Sequence, residues 1–234
     1  MLRFRSPLDK LLTYCFLGAQ LILYYFILTA GGKLLVVTSY LAILLCLAFA
    51  AFNAEERNLC ILGGLACTAV ADFFLVVCSP MQQLPGMIAF LGTQSFYALY
   101  LHRQNKKRKL LYLRLGLSVL GALLPILVLG SKADALAVVS VLYYVNLIFN
   151  IYLAFRRFRK NRIFAIALVL FLLCDTIIGL QAAAGGYLPI GADSLLYRLI
   201  FVPFNLAWLF YLPSQVLIAL CSKKKAQNNN LPKK

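Results

Sequence analysis

"GGLACTAVADFFLVV", residues 63–77, is an apolar run of the kind that crosses a bilayer, and it carries one carboxylate, Asp72. An aspartate near the centre of a membrane helix is penalised by roughly 2.5–3.5 kcal/mol on insertion scales, so its presence calls for an offsetting role. The run "ALVLFLLCDTIIGL", residues 167–180, repeats the arrangement with Asp175. Two carboxylates at membrane depth point to a site.

Composition supports the membrane setting. Of 234 residues, 63% are hydrophobic and only 13% charged, and the mean hydropathy is +0.86, a balance outside that of soluble domains. Division at charged or Gly/Pro-rich breaks gives eight apolar segments: about 11–30, 34–52, 59–79, 84–102, 110–130, 133–155, 163–183 and 196–221. Each is close to the ~20 residues that span ~30 Å of hydrocarbon. The expected fold is all-α, a polytopic bundle of eight transmembrane helices forming one domain over 1–221. A basic disordered tail, "SKKKAQNNNLPKK", follows over 222–234.

The net charge of +16 suggests nucleic acid until the charges are placed. Twenty of the 23 Lys and Arg fall in the N-terminus, the 2–3, 4–5 and 6–7 connections and the tail, which all share one face. The other face holds Lys33, Lys132 and Arg198. By the positive-inside rule both termini are cytoplasmic, and the basic loops "RQNKKRK" and "RRFRKNR" signal topology, with no nucleic-acid partner expected. The first segment follows Arg3, Arg5 and Lys10 but is too long for a signal peptide and lacks a clear cleavage site, so it is expected to be helix 1.

Seven cysteines lie in or beside apolar segments with no C-x-x-C pair, and the single histidine, His102, ends helix 4 beside a basic loop. Neither a metal site nor a Ser-His-Asp triad is expected, and nothing implies a cofactor.

Asp72 is the 14th residue of helix 3 and Asp175 the 13th of helix 7, matching places in two halves of four helices. At about 1.5 Å per residue, each carboxylate sits about 20 Å from the cytoplasmic end. Thr68 and Gly64 on one side, and Gly179, Ala182 and Ala183 on the other, form small-residue faces along which a neighbouring helix would approach closely. Further polar residues at membrane depth are candidates to line a shared cavity: Gln94 and Tyr97 on helix 4; Tyr143, Asn146 and Asn150 on helix 6; Asn205, Tyr211 and Gln215 on helix 8. Spacings of three, four and seven put each group on one helix face. The plain alternative is interhelical hydrogen bonding, worth around 0.6 kcal/mol per pair. Pro203 and Pro213 are expected to interrupt helix 8.

The order of "GGLACTAVADFFLVV", "GMIAFLGTQSFYALYL" (86–101), "ALVLFLLCDTIIGL" and "WLFYLPSQVLIAL" (208–220) resembles the YhhN family, which includes lysoplasmalogenases. The resemblance implies an integral membrane hydrolase of a bacterial plasma membrane, with Asp72 and Asp175 as the catalytic pair. Its implied substrate is a single-chain ether phospholipid, a lysoplasmalogen, whose vinyl ether is cleaved to a fatty aldehyde and glycerophospho-ethanolamine or -choline. Lys33 and Arg198, expected on the outer side, are candidate phosphate contacts. The chain departs from many relatives in having Gln94 where they have a His, and Leu34 after Lys33 where they have Pro. An amide does not titrate, so Gln94 cannot take a proton-transfer role.

Two aspartates suit the implied chemistry. Two carboxylates in one low-dielectric pocket resist ionising together, which allows one acid and one anion at neutral pH. Which is which is open from sequence, as are the head group and the oligomeric state. A transporter using the same carboxylates for protons or cations is the main competing class. An intramembrane aspartyl protease lacks its expected G-x-G-D signature here, and a purely structural role would leave Asp→Asn variants active.

Overall fold

The structure, a computed structural model, describes residues 6–53, 58–105, 108–184 and 193–223. Among the described residues nine α-helices follow in chain order: α1 Pro7–Thr29, α2 Gly32–Phe52, α3 Leu59–Asp72, α4 Gln83–Asn105, α5 Arg108–Leu129, α6 Ala135–Phe155, α7 Phe158–Ala184, α8 Leu195–Ile200 and α9 Leu206–Leu220. No strand occurs among the described residues. Six helices, α1, α2, α3 with its continuation to Val77, α5, α6 and α7, are long and apolar enough to cross a membrane. α4 has the length but is more polar, and α9 is apolar but only 15 residues long.

Local sequence explains the boundaries. Ser6 accepts a hydrogen bond from the Asp9 N–H at 3.1 Å ahead of Pro7, and Asp134 accepts from the Ala137 N–H at 2.7 Å to start α6, both ordinary N-caps. Gly130, at φ +55°, follows α5 and turns the chain away from it, a conformation that favours glycine.

α3 packs along α4 and α2, α4 along α6, and α7 along α9, which also touches α2 and α1. The core is a main apolar cluster drawn from α1 to α7 and α9, with a second, small cluster of Ile27, Ala42 and Leu212. The outward surface is also apolar: Leu21, Ile22, Leu120, Leu127 and Val128 are all exposed. In water such a surface would aggregate, whereas lipid tails accept it.

Three expectations are corrected. The segment 196–221 is not one helix: α8 ends at Ile200, Phe201 leaves helical geometry, and α9 starts only at Leu206. Pro203 accounts for the break, since it disfavours helical backbone at Val202 and offers no N–H of its own. The carbonyl of Ile200 is instead satisfied by the Gln181 side-chain amide at 2.7 Å. Pro213, by contrast, is carried inside α9. Segment 59–79 is α-helical only to Asp72; Phe73–Val77 form a π-helical turn closed by Cys78 N–H donating to Phe73 O at 3.0 Å. Finally, the start of the expected tail is bound into the bundle. Asn58 Nδ2 donates to Ser222 O at 2.7 Å, and Lys223 Nζ meets Asp9 Oδ1 and Thr13 Oγ1, each at 2.7 Å. The beginning of α1 and the end of α9 therefore share one face. The rest of the tail, 224–234, lies outside the described residues.

The tightest helix contact is α3 on α4. A Cβ built on Gly64 would lie 2.1 Å from Tyr97 Cε1, whereas one on Gly116 would meet nothing within 4 Å. Gly64→Ala should therefore destabilise by roughly 1–3 kcal/mol through overpacking. Gly116→Ala should be neutral or stabilising, the comparison being read by thermal unfolding in detergent.

Candidate active site

Asp72 ends α3 at the junction with the π-helical turn, and Asp175 lies in the second half of α7, 103 positions later in the chain. The bundle brings both onto the wall of one cavity of about 400 Å³, and they are close enough to interact electrostatically. Each is held by a tyrosine. The Tyr211 hydroxyl donates to Asp72 Oδ2 at 2.6 Å, and the Tyr143 hydroxyl donates to Asp175 Oδ2. Neither carboxylate makes another side-chain hydrogen bond among the described residues, which leaves a second oxygen on each for a ligand. Asp72 is buried at 3% exposure; Asp175 is more open to the cavity.

The π-helical turn matters to this arrangement. Its extra residue per turn re-aims the chain after Asp72, and Leu75 and Val76 from it join the cavity wall. Phe90 of α4 lies edge-on to Tyr211 and tilted against Tyr143, at centroid distances of 6.4 and 5.8 Å, so one ring buttresses both tyrosines. Trp208 packs edge-on against Tyr211 at 5.0 Å. The remaining wall is apolar, including Met81, Met87, Leu136, Ile178 and Ala182, with Gln83, Ser140 and Tyr144 as further polar members. Tyr144 is tied to Thr176 by a hydroxyl–hydroxyl bond. Among the described residues no Lys or Arg lines the cavity.

The small residues along α7 do not serve close helix approach as expected. Gly179 has nothing within 4 Å of where a Cβ would be, is exposed, and lines the cavity with Ala182. Small side chains here keep space open. Around Asp72 the expectation holds, with Gly64 and Thr68 pressed against α4 through Tyr97 and Thr93.

Of the residues expected to line a cavity, Tyr143 and Tyr211 do so beside the two aspartates. The others are placed elsewhere. Lys33 and Arg198 are exposed, at the start of α2 and in α8, and Asn205 precedes α9 outside the wall. Asn146 bonds Ser118 Oγ at 3.2 Å and the Leu142 carbonyl at 2.8 Å, tying α6 to α5. Gln94, Tyr97, Asn150 and Gln215 are fully buried on the side of the carboxylates toward the shared face of the chain ends. Among the described residues no group of three His, Cys, Asp or Glu side chains forms a metal set.

A model of the YhhN family matches residues 33–221, most of the chain. The chain belongs to the YhhN family. No curated protein and no solved structure matches it. Helix α1 precedes the matched region of this YhhN bundle, although its Gln20 reaches the core, donating to the Ala42 carbonyl at 2.9 Å and to Cys46 Sγ at 3.3 Å.

Sequence reading missed one residue of consequence in the YhhN bundle. Arg114 was expected among the basic loop charges, yet it is 8% exposed, one and a half turns inside α5. Its Nη1 donates to Asn150 Oδ1 at 3.0 Å and its Nη2 to the Gln94 carbonyl at 3.4 Å. Asn150 Nδ2 in turn donates to Gln94 O and Oε1, at 2.9 and 3.0 Å. The signal was present in the helical spacing: Leu110, Arg114, Gly121 and Pro125 are the buried residues of α5, one face at intervals of four, seven and four.

A guanidinium whose partners among the described residues are neutral oxygens is sensitive to their loss. Asn150→Leu should destabilise the protein by on the order of 3 kcal/mol, because it leaves a buried charge with a single carbonyl partner. Arg114→Met in the same chain should recover much of that loss, and a double-mutant cycle by thermal unfolding checks the coupling.

Proposed function

We propose that this YhhN protein is a membrane hydrolase that cleaves the vinyl ether of single-chain 1-alkenyl phospholipids, with Asp72 and Asp175 as its acid–base pair. One observation carries the reading: two carboxylates from separate helices line one apolar cavity, each held by its own tyrosine hydroxyl. Apolar walls suit an alkenyl chain, and a single chain suits a cavity of about 400 Å³. With no cation among the described wall residues, the phosphate-bearing head group is left to polar side chains such as Gln83 and Ser140.

The chemistry follows from the groups present. A vinyl ether is hydrolysed by protonation of its β-carbon, which produces an oxocarbenium ion. Water adds to that ion and loses a proton, and the hemiacetal collapses to a fatty aldehyde and the glycerophospho-alcohol, consuming one water overall. One carboxyl supplies the proton, while the other, as the anion, stabilises the cation and takes the proton from water. The tyrosines fix the direction of each carboxylate by donating to one oxygen. Phe90 and Trp208 add aromatic rings to the same wall.

The competing reading, a transporter that loads protons or cations on the same carboxylates, predicts no bond cleavage. Purified protein in detergent should release aldehyde from 1-alkenyl lysophospholipid. Asp72→Asn and Asp175→Asn should each lower kcat by 10² or more while remaining folded. Absence of aldehyde from folded wild type across head groups and pH overturns the hydrolase reading and leaves the transporter. Tyr143→Phe and Tyr211→Phe remove one charge-assisted hydrogen bond each and should cost kcat about ten-fold to a hundred-fold, measured in the same assay with folding checked by thermal unfolding.

A further inference from the structure

Beyond the carboxylates, on the side of the shared chain-end face, the bundle interior is unexpectedly polar. Among the buried side-chain atoms there that have no hydrogen-bond partner among the described residues are Gln20 Oε1, Gln94 Nε2, Tyr97 OH, Ser214 Oγ and both amide atoms of Gln215. Each of the five residues is at most 4% exposed. Buried polar atoms in an apolar bundle are costly unless paired, and native structures pair nearly all of them with protein or with ordered water. For Gln215 both the amide oxygen and the amide nitrogen are unpaired.

These atoms form a column. Gln215 lies one helical turn beyond Tyr211, whose hydroxyl holds Asp72. Gln20 meets Cys46 at 3.3 Å, and Cys46 is within electrostatic reach of Asp72 and of Tyr97. Tyr97 in turn stands beside Thr68, which is 3.3 Å from Thr93. On the other flank, Gln94 lies next to Tyr143, the partner of Asp175. It continues through Asn150 to Arg114, near the start of α5. Polar groups thus run from both carboxylates toward the bundle end where Lys223 meets Asp9. The lipid-sized cavity is built from the opposite ends of the same helices: Met81 just before α4 and Gln83 at its start, Leu136 at the start of α6 and Ala182 at the end of α7.

We infer that this column is a hydrated path that carries water and protons between the carboxylate pair and the chain-end face, separate from the apolar cavity that admits the lipid. A water molecule with two to four polar partners is stable at such a site. The division answers a physical requirement of hydrolysis in a membrane protein. A cavity filled by an alkenyl chain excludes water, so the one water consumed in each turnover needs another way in. The functional part of this inference rests on the hydrolase reading; the hydration itself does not.

The test is radiolytic hydroxyl-radical labelling of the full chain in nanodiscs, read by mass spectrometry without substrate. Radicals form from water at the site, so Tyr97, at 0% exposure, should be oxidised at least five-fold faster than a buried aromatic ring away from the path. Phe149, similarly buried at 4%, serves as the dry reference. Gln215→Leu should lower Tyr97 labelling at least five-fold, and Gln20→Leu, on a different helix, provides the same reading if the first variant does not fold. Tyr97 labelled no faster than Phe149 in the wild type overturns the path. In the aldehyde assay, Gln215→Leu should lower kcat about ten-fold with KM unchanged; labelling lost with kcat intact overturns the supply role. Labelling of Tyr97 in a protein that releases no aldehyde leaves the hydrated path standing and removes the hydrolase, so the two failures are distinguishable.

Discussion

A carboxylate inside an apolar bundle persists only if something donates to it, and here a tyrosine hydroxyl on a different helix donates to each. Tyr211 links α9 to the end of α3, and Tyr143 links α6 to α7. Because Phe90 on α4 packs against both rings, the two pairs share a support. Five helices therefore converge on the two aspartates, and the cavity is the space that remains between them once those contacts are made.

Unequal packing on the two sides of the site follows from side-chain size. On one flank Gly64 admits Tyr97 so closely that no larger residue fits, which locks α3 to α4. On the other, Gly179 and Ala182 face open space, and α7 contributes a recess there. Small residues do opposite work in the two places: where a large partner fills the gap they allow contact, and where none does they leave a void. The break between α8 and α9 adds to this, since it lets Ala207 and Trp208 enter the wall at the first turn of α9.

The polar interior is organised in two levels. Beside the cavity lie the aspartate–tyrosine pairs, and beyond them lies a layer built from Gln94, Asn150 and Arg114 on one flank and Gln20, Tyr97 and Gln215 on the other. Arg114 carries a full charge whose partners among the described residues are neutral oxygens, an expensive arrangement in low dielectric. Its place near the end of the bundle, and the amides that hold it, moderate that cost by keeping it close to the polar boundary. An all-apolar core would pack this region at lower cost in desolvation, so the polar layer is the feature most in need of a functional account.

Sequence alone determined the membrane setting and singled out two aspartates at membrane depth, because hydropathy and the cost of a buried charge are properties of individual residues and their near neighbours. Helical spacing likewise carried Tyr143 and Tyr211. It did not separate these from Gln94, Asn146, Asn150 and Gln215, which share the same polarity and periodicity but point to other levels of the bundle. Nor did it distinguish Arg114 from the loop charges a few residues away, or foresee that 196–221 would break at Pro203. Those outcomes depend on which helix lies opposite which, at what depth, and where a large ring finds a glycine. Such contacts join residues far apart in the chain, as Asp72 and Tyr211 are, so only the tertiary structure decides them.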